Sequence, residues 1–265
     1  KAKSKLVHLF KWHDCLINNI IEKDFQSMLF PLNIVQSLYL MPKFSINNNC
    51  ITPKTPIWHF IRSAIGATVL VFSHFFHFFY YYYALDGLRT AVVTFLFYYD
   101  LIFYCIISIL IHVISVSQSA NTVELIIKLQ KILNSIVIDK KSFLCKVKIE
   151  NWISVFCVFI VYISFWLSLI DINVGFTGAF ISFVLTAPMM IFDLHLVIAI
   201  RTVVLIKKEL AAWNRLLEGY MSININNKDQ IRNNEMPENV MFDTYIDILR
   251  AFRLCQKVYQ FAVSE

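Results

Sequence analysis

Apolar residues fall into four long stretches, and each is long enough to cross a bilayer as a helix. These stretches cover residues 57–83, 91–115, 152–170 and 176–200. A helix of about 20 apolar residues, rising about 1.5 Å per residue, crosses the roughly 30 Å of hydrocarbon in a membrane. The pattern therefore predicts four transmembrane helices.

The fourth stretch continues into a charged segment with no proline between them. This segment begins at Arg201 and carries Lys207, Lys208 and Arg215. Without a helix breaker, one helix is expected to leave the membrane and continue as an extension. We expect residues 201–265 to form that extension, a polar linker and a final amphipathic helix that packs against the extension.

The positive charges lie mainly between the apolar stretches. The loop 116–151 carries six lysines: Lys128, Lys131, Lys140, Lys141, Lys146 and Lys148. Basic loops of this kind mark the cytoplasmic side of a membrane protein. Residues 1–56 and 201–265 are then cytoplasmic as well. This topology is the inverse of that of a rhodopsin-type receptor.

Two shorter apolar patterns lie outside the predicted spans. In the basic loop, Asn121 and Glu124 resemble a capping box, and Leu125, Leu129, Ile132 and Ile136 follow on one helical face, which predicts an amphipathic helix. The apolar run 25–41 is interrupted by Pro31 and is too short to span, so we expect an interfacial or protein-packed helix. A turn-rich link, 42–56, follows it.

The composition agrees with an all-α polytopic membrane protein. Hydrophobic residues make up 58%, charged residues 16%, and the mean hydropathy is +0.60, values typical of this class. Topology accounts for the net charge of +6 without a nucleic-acid partner. The chain contains no phosphate-binding loop, nucleophile elbow or zinc-protease motif. We therefore predict no enzymatic activity, no cofactor and no metal.

Polar residues inside the predicted spans are the candidate ligand site. His74 and His77 share one face of the first span, and Asp100 lies at a similar depth in the second. A carboxylate within a span is costly and usually has a partner or a water-filled cavity. A structural hydrogen bond between imidazole and carboxylate is the simpler interpretation. The alternative is a polar floor beneath a ligand cavity walled by Tyr99, Phe103 and Trp166.

Three features together resemble one receptor family. They are the inverted topology with many phenylalanines and tyrosines, the stretch Leu-Phe-Pro-Leu-Asn-Ile-Val-Gln-Ser-Leu-Tyr-Leu-Met-Pro-Lys-Phe-Ser-Ile at 29–46, and Asp-Thr-Tyr-Ile-Asp-Ile-Leu at 243–249. The chain looks like the N-terminal portion of an insect gustatory receptor, of the kind found in moths and butterflies. The family's seventh-helix signature is absent, since Ala251 precedes Phe252 where glutamine is expected.

The resemblance implies a subunit of a ligand-gated cation channel in the plasma membrane. Such channels are tetramers of identical or different subunits, they bind small organic tastants, and their cytoplasmic helix extensions form the main subunit contact. Four of the family's seven spans are expected in this chain. Two alternatives remain open: a secondary ion or solute transporter that uses Asp100, Asp193 and the histidines, and an insect odorant receptor-like chemoreceptor.

The charge pattern predicts that both ends of the chain are cytoplasmic. Epitope tags attached before Lys1 and after Glu265 should be stained in cells only after permeabilisation. Staining of either tag on intact cells contradicts the predicted orientation.

Overall fold

The computed structural model is mostly helical. It describes residues 19–40, 43–47, 49–53, 56–84, 91–137, 139–169, 190–226 and 238–263. The helices in these ranges are α1 (Lys23–Leu38), α2 (Pro56–Ala84), α3 (Ala91–Ser117), α4 (Ser119–Ile136), α5 (Lys140–Leu169), α6 (Met190–Asn226) and α7 (Glu238–Val263). The predicted helical class is confirmed.

A small β-hairpin replaces part of the predicted turn-rich link. Strands β1 (Phe44–Asn47) and β2 (Cys50–Pro53) pair antiparallel, with Phe44 opposite Pro53. The backbone turns between them, where Asn49 has a φ of 62°, a conformation that asparagine tolerates better than most residues. Ile51 is fully buried. The apolar residues of the link therefore anchor a hairpin on the helical core.

One core joins α1, α4, α7, the hairpin and adjoining parts of α5 and α6. Leu125, Leu129, Ile132 and Ile136, the four residues of the predicted amphipathic face, are 1–5% exposed, so this prediction is confirmed. The predicted capping box is wrong, because α4 begins at Ser119 with Gln118 as its N-cap. The helix continues almost directly from α3, which leaves no room for a separate start at Asn121.

Helices α6 and α7 pack side by side, as the sequence predicts. Trp213 stacks on Tyr245 with ring centroids 5.1 Å apart, and its Nε1 donates a hydrogen bond to the carbonyl oxygen of Met241 over 3.2 Å. Leu205 of α6 is 4% exposed, and Ile248, Ala251 and Cys255 of α7 are 0–3% exposed, whereas Leu249 is 39% exposed. One face of each helix is therefore buried in a helical stalk, a name used here for α6 from Arg201 onward together with α7.

Helices α2 and α3 form an antiparallel pair with an unusual distribution of polarity. The polar side chains buried in this pair are Ser63, His74, Ser108, His112 and Ser115. Large apolar side chains cover its outside, including Phe60, Ile65, Phe72, Phe95, Ile102, Ile106, Ile109 and Val113. This distribution is the reverse of that in α4, the next helix along the chain.

One helix among the described residues is long and apolar enough to cross a membrane, where the sequence predicts four. It is Thr94–Ser117, with a mean hydropathy of 2.1, and 22% of its most apolar part is buried. A shorter apolar helix covers Phe60–Phe76. Residues 176–189 of the predicted fourth span lie outside the described residues.

Candidate functional site

His74 is the candidate residue that the structure buries most clearly. Its Nε2 lies 3.2 Å from Ser108 Oγ, and its ring stacks on Tyr104 with centroids 5.5 Å apart. Ser108 is about two helical turns beyond Asp100 on α3. The structure therefore joins His74 to Ser108 and Tyr104, and no hydrogen bond links it to Asp100 in the described residues.

Asp100, Tyr99 and Phe103 lie on the outer face of α3. Tyr99 and Phe103 are 55% and 44% exposed, and their rings stack at 5.9 Å. Asp100 is exposed and makes no hydrogen bond or ion pair within the described part of the chain. At 3.6 residues per turn, Asp100 lies about 80° around α3 from Ser108, so it is turned to one side of the face that contacts α2. The side chains of His77 and Trp166 lie outside the described residues.

Small and polar residues let α2 and α3 approach closely. Ser63 Oγ donates to the carbonyl oxygen of His112 over 3.3 Å, and His112 Nδ1 lies 2.8 Å from the carbonyl oxygen of Ser108. A Cβ added to Gly66 would lie 2.7 Å from His112 Nε2. A larger residue here would force the His112 ring to shift and would crowd Leu40 Cβ at 3.1 Å and the Tyr39 carbonyl oxygen at 3.3 Å, so glycine favours this close approach, as is common where helices cross tightly.

An apolar groove separates α3 from α6 and encloses about 370 Å³. We call it the outer groove. Its lining comprises Phe103, Ile107, Leu110, Ile111 and Ile114 of α3, Phe192, His195 and Leu196 of α6, and Val258 and Tyr259 of α7. This size and composition are typical of small-molecule pockets. Phe103 is the predicted ligand residue that lines it.

A second, smaller cavity lies behind the groove. This inner cavity is about 10 Å³, room for about one water, and is lined by Val35, Gln36, Tyr39, Lys43, Ser115, Ile191, Leu194, His195 and Ile198. His195 lines both cavities. Its ring lies 6.0 Å from that of Tyr259, where α7 leaves helical geometry with φ −119° and ψ 16°. His195 and Tyr259 therefore stand at the boundary between groove and core.

Lys43 is buried in the inner cavity. It is 1% exposed, its Nζ lies 4.5 Å from the centroid of the Tyr259 ring, and that Nζ has no hydrogen-bond partner in the described residues. Burial lowers the pKa of the amine to about 7, because desolvation disfavours its charged form. The sequence gives no signal for this, since a lysine in a polar, proline-rich segment is normally solvated.

Glu209 is a second buried ionisable residue that the sequence analysis did not single out. It is 0% exposed, and neither carboxyl oxygen has a partner among the described residues. Burial raises the pKa of this carboxyl well above its usual value, which favours its protonated, neutral form. Helical spacing is the signal that reveals it, because Glu209 lies four residues from both Leu205 and Trp213 on the packed face of α6.

Glu150 ties α5 to α6 where the predicted membrane ends. Its carboxylate accepts hydrogen bonds from Arg201 Nη2 at 2.6 Å and from Lys208 Nζ at 2.5 Å. Arg201 Nε also donates to Asn151 Oδ1 over 2.8 Å. Burial alone would raise the pKa of Glu150, but the hydrogen bonds and charges of Lys208 and Arg201 outweigh burial and lower it.

Asp247 makes a similar link between α7 and α4. Lys131 Nζ lies 2.7 Å and Lys128 Nζ 3.4 Å from its carboxylate oxygens. Burial again acts to raise the pKa, and the two lysines outweigh it and lower the pKa. The Glu150 cluster therefore fixes α5 relative to α6, and the Asp247 cluster fixes α7 relative to α4.

The described residues contain no group of three or more histidine, cysteine, aspartate or glutamate side chains placed to hold a metal ion. Comparison with protein-family models, curated proteins and solved structures finds no match to this chain. Its function must therefore be argued from its own residues and geometry.

The Glu150 cluster generates a stability prediction. Glu150→Gln should lower the free energy of unfolding by about 1–3 kcal/mol at pH 7, because two cations lose their shared carboxylate. A lowered folded-state pKa stabilises the fold above the unfolded-state pKa, near 4.5, and this contribution disappears as pH falls through the folded-state value. Thermal unfolding of the purified chain between pH 3 and 8 measures the difference.

Glu124→Gln is the matched control, since Glu124 is exposed on α4 and makes no ion pair within the described residues. Its unfolding should match that of the unmodified chain. A constant difference between Glu150→Gln and the unmodified chain from pH 8 to pH 3 contradicts the assigned role of Glu150.

Proposed function

We propose that the chain is a four-span membrane protein of the plasma membrane and a subunit of a gustatory chemoreceptor that binds small organic tastants. It is similar to insect gustatory receptors and acts within a ligand-gated cation channel, together with other receptor subunits in a tetramer. Both chain ends and the stalk lie in the cytoplasm.

The proposal of a membrane protein is supported by the opposite burial of polar and apolar side chains in α3 and α4. Helix α3 buries Ser108, His112 and Ser115 and exposes isoleucines and phenylalanines, whereas α4 buries leucines and isoleucines. Water favours the second pattern. Hydrocarbon favours the first, because apolar side chains gain nothing by leaving it and polar groups must find partners inside.

The length of α6 supports a role in transmitting a membrane event. It runs from Met190 to Asn226 without a described break, so its apolar beginning and its charged end form one rod. The Glu150 cluster holds this rod against α5, and Trp213 holds it against α7. A movement at the membrane end of α6 would therefore reach the stalk, which is expected to contact neighbouring subunits.

The aromatic outer face of α3 supports recognition of organic molecules. Tyr99 and Phe103 present stacked rings, and Phe103 also lines the outer groove. Aromatic and apolar surfaces with few polar groups are typical of small-molecule sites. An insect odorant receptor-like chemoreceptor would use the same features, so the ligand class separates these two alternatives.

A transporter is the second candidate, favoured by the polar contacts between α2 and α3. Buried polar side chains of the kind that line proton pathways lie between these helices: Ser63, His112, Ser108 and His74. His74 and Ser108 contact each other through their side chains, whereas Ser63 and His112 bond to backbone carbonyl oxygens, which do not relay protons. No carboxylate joins these groups among the described residues, because Asp100 is exposed and Asp193 accepts a hydrogen bond from Tyr162 over 2.7 Å. We therefore prefer the receptor.

The receptor proposal predicts a tastant-evoked cation current. Cells that express this protein together with its proposed partner subunits should conduct on exposure to at least one compound in a panel of sugars and bitter compounds. Phe103→Ala should raise the half-maximal concentration about tenfold, since it removes an aromatic contact. Surface expression should not change, because Phe103 is 44% exposed.

Phe72→Ala is the control, since Phe72 is 60% exposed on α2 and is expected to face lipid alone. It should leave both current and expression unchanged. Surface-expressed protein that never conducts with any tastant contradicts the receptor proposal, and solute-dependent proton uptake in the same cells would favour the transporter.

A further inference from the structure

The outer groove and the inner cavity share His195 as a lining residue, so an apolar groove lies next to a cavity that contains a buried amine. The groove is apolar along α3, from Phe103 to Ile114. At its α7 end stand His195 and Tyr259, and Lys43 Nζ lies 4.5 Å behind the Tyr259 ring. A molecule lying in the groove would therefore have a hydrocarbon wall along its length and a basic group near one end.

Lys43 has no counter-charge within the described residues. Its Nζ makes no hydrogen bond among the described residues, and the Tyr259 ring lies 4.5 Å away. Tyr39 and His195 line the same cavity, and Cys255 is close enough to affect the charge of the amine. Glu209, which could neutralise an amine, is fully buried elsewhere on α6 and does not contribute to the electrostatics of Lys43. A buried amine of this kind is costly unless something outside the chain provides an acceptor or an anion.

Gln36 adds a second unsatisfied polar group to the inner cavity. It is 7% exposed, and its Oε1 has no hydrogen-bond partner among the described residues. Since both Gln36 and Lys43 line a space about one water wide, one water or one carboxylate oxygen fits between the groove and the amine. A phosphodiester with its bulky substituents does not fit this space.

We propose that the outer groove binds a single-chain fatty acid, with its carboxylate at His195 and Lys43 and its hydrocarbon chain along α3. The apolar wall matches the chain, and the buried amine matches the charge of the head. This site goes beyond the proposed taste function, because it lies at the stalk end of α3 and would be present equally in a transporter.

Binding of radiolabelled dodecanoate tests this site directly. The full chain is reconstituted in phosphatidylcholine nanodiscs, and saturable binding is measured by scintillation proximity. Unlabelled dodecanoate should compete, whereas dodecanol and dodecylphosphocholine should not, because neither presents a carboxylate. Equal competition by dodecanol overturns the role of the amine, and stronger competition by dodecylphosphocholine assigns the groove to phospholipid.

Two variants test the two halves of the site separately. Lys43→Met keeps the length of the side chain without its charge and should weaken dodecanoate binding about tenfold or more, the loss expected for a hydrogen bond to a charged group. Leu110→Trp fills the groove and should weaken binding similarly without altering Lys43. Lys207→Met, which removes an exposed amine of α6, is the control and should bind normally.

The pH dependence of binding distinguishes a direct role of Lys43 from a structural one. A carboxylate favours the charged amine, so affinity should fall about tenfold per pH unit as the pH rises above about 7. Cys255 and Tyr39 do not contribute between pH 7 and 9, because burial raises their pKa values to about 11 and about 12. A flat profile, or normal binding by folded Lys43→Met, overturns the proposal. If Lys43→Met does not fold, Leu110→Trp and the pH profile decide.

Discussion

In the proposed membrane protein, the architecture depends on a change of solvent at the boundary between α3 and α4. Helices α2 and α3 bury hydroxyls and imidazoles and expose much of their hydrocarbon, whereas α4 buries hydrocarbon and exposes charge. A helix in hydrocarbon cannot leave polar groups unpaired, whereas a helix in water gains most by burying apolar area. The two opposite distributions are those expected if, as we propose, α2 and α3 lie in hydrocarbon and α4 lies in water.

Charge pairs and packing hold α4, α5, α6 and α7 together beyond this boundary. The carboxylate of Glu150 joins α5 to two cations of α6 at the level where the apolar stretches end, and Asp247 joins α7 to two lysines of α4. Each carboxylate has a lowered pKa, so both clusters stay charged at neutral pH. Lys43 and Glu209 differ, because burial without a partner drives each toward its neutral form.

Periodicity predicted much of the fold but little of the candidate site. The amphipathic face of α4 and the packing of α6 on α7 follow from spacings of three and four residues, because one helical face must be buried. The hairpin was missed because its strands are four residues long and lie among asparagines and prolines. His74 was recognised as a polar residue in a span, but its pairing with Ser108 depends on helix rotation, which depth alone does not determine. Lys43 enters the core because α1 and the hairpin position it there. The residues next to Lys43 in the sequence do not predict this burial.

Labelling of two single cysteines tests the change of solvent most directly. Ile160 on α5 and Phe242 on α7 are 60% and 64% exposed, so their exposure is nearly equal. Ile160 is expected to face lipid in the third span, and Phe242 is expected to face water in the stalk. Each is replaced by cysteine in a chain whose six native cysteines are changed to alanine, and the protein is reconstituted in permeabilised lipid vesicles. A water-soluble maleimide should label position 242 quickly and position 160 only after the vesicles are dissolved and the chain is unfolded. Equal labelling of both positions in intact bilayers would contradict the two-solvent account.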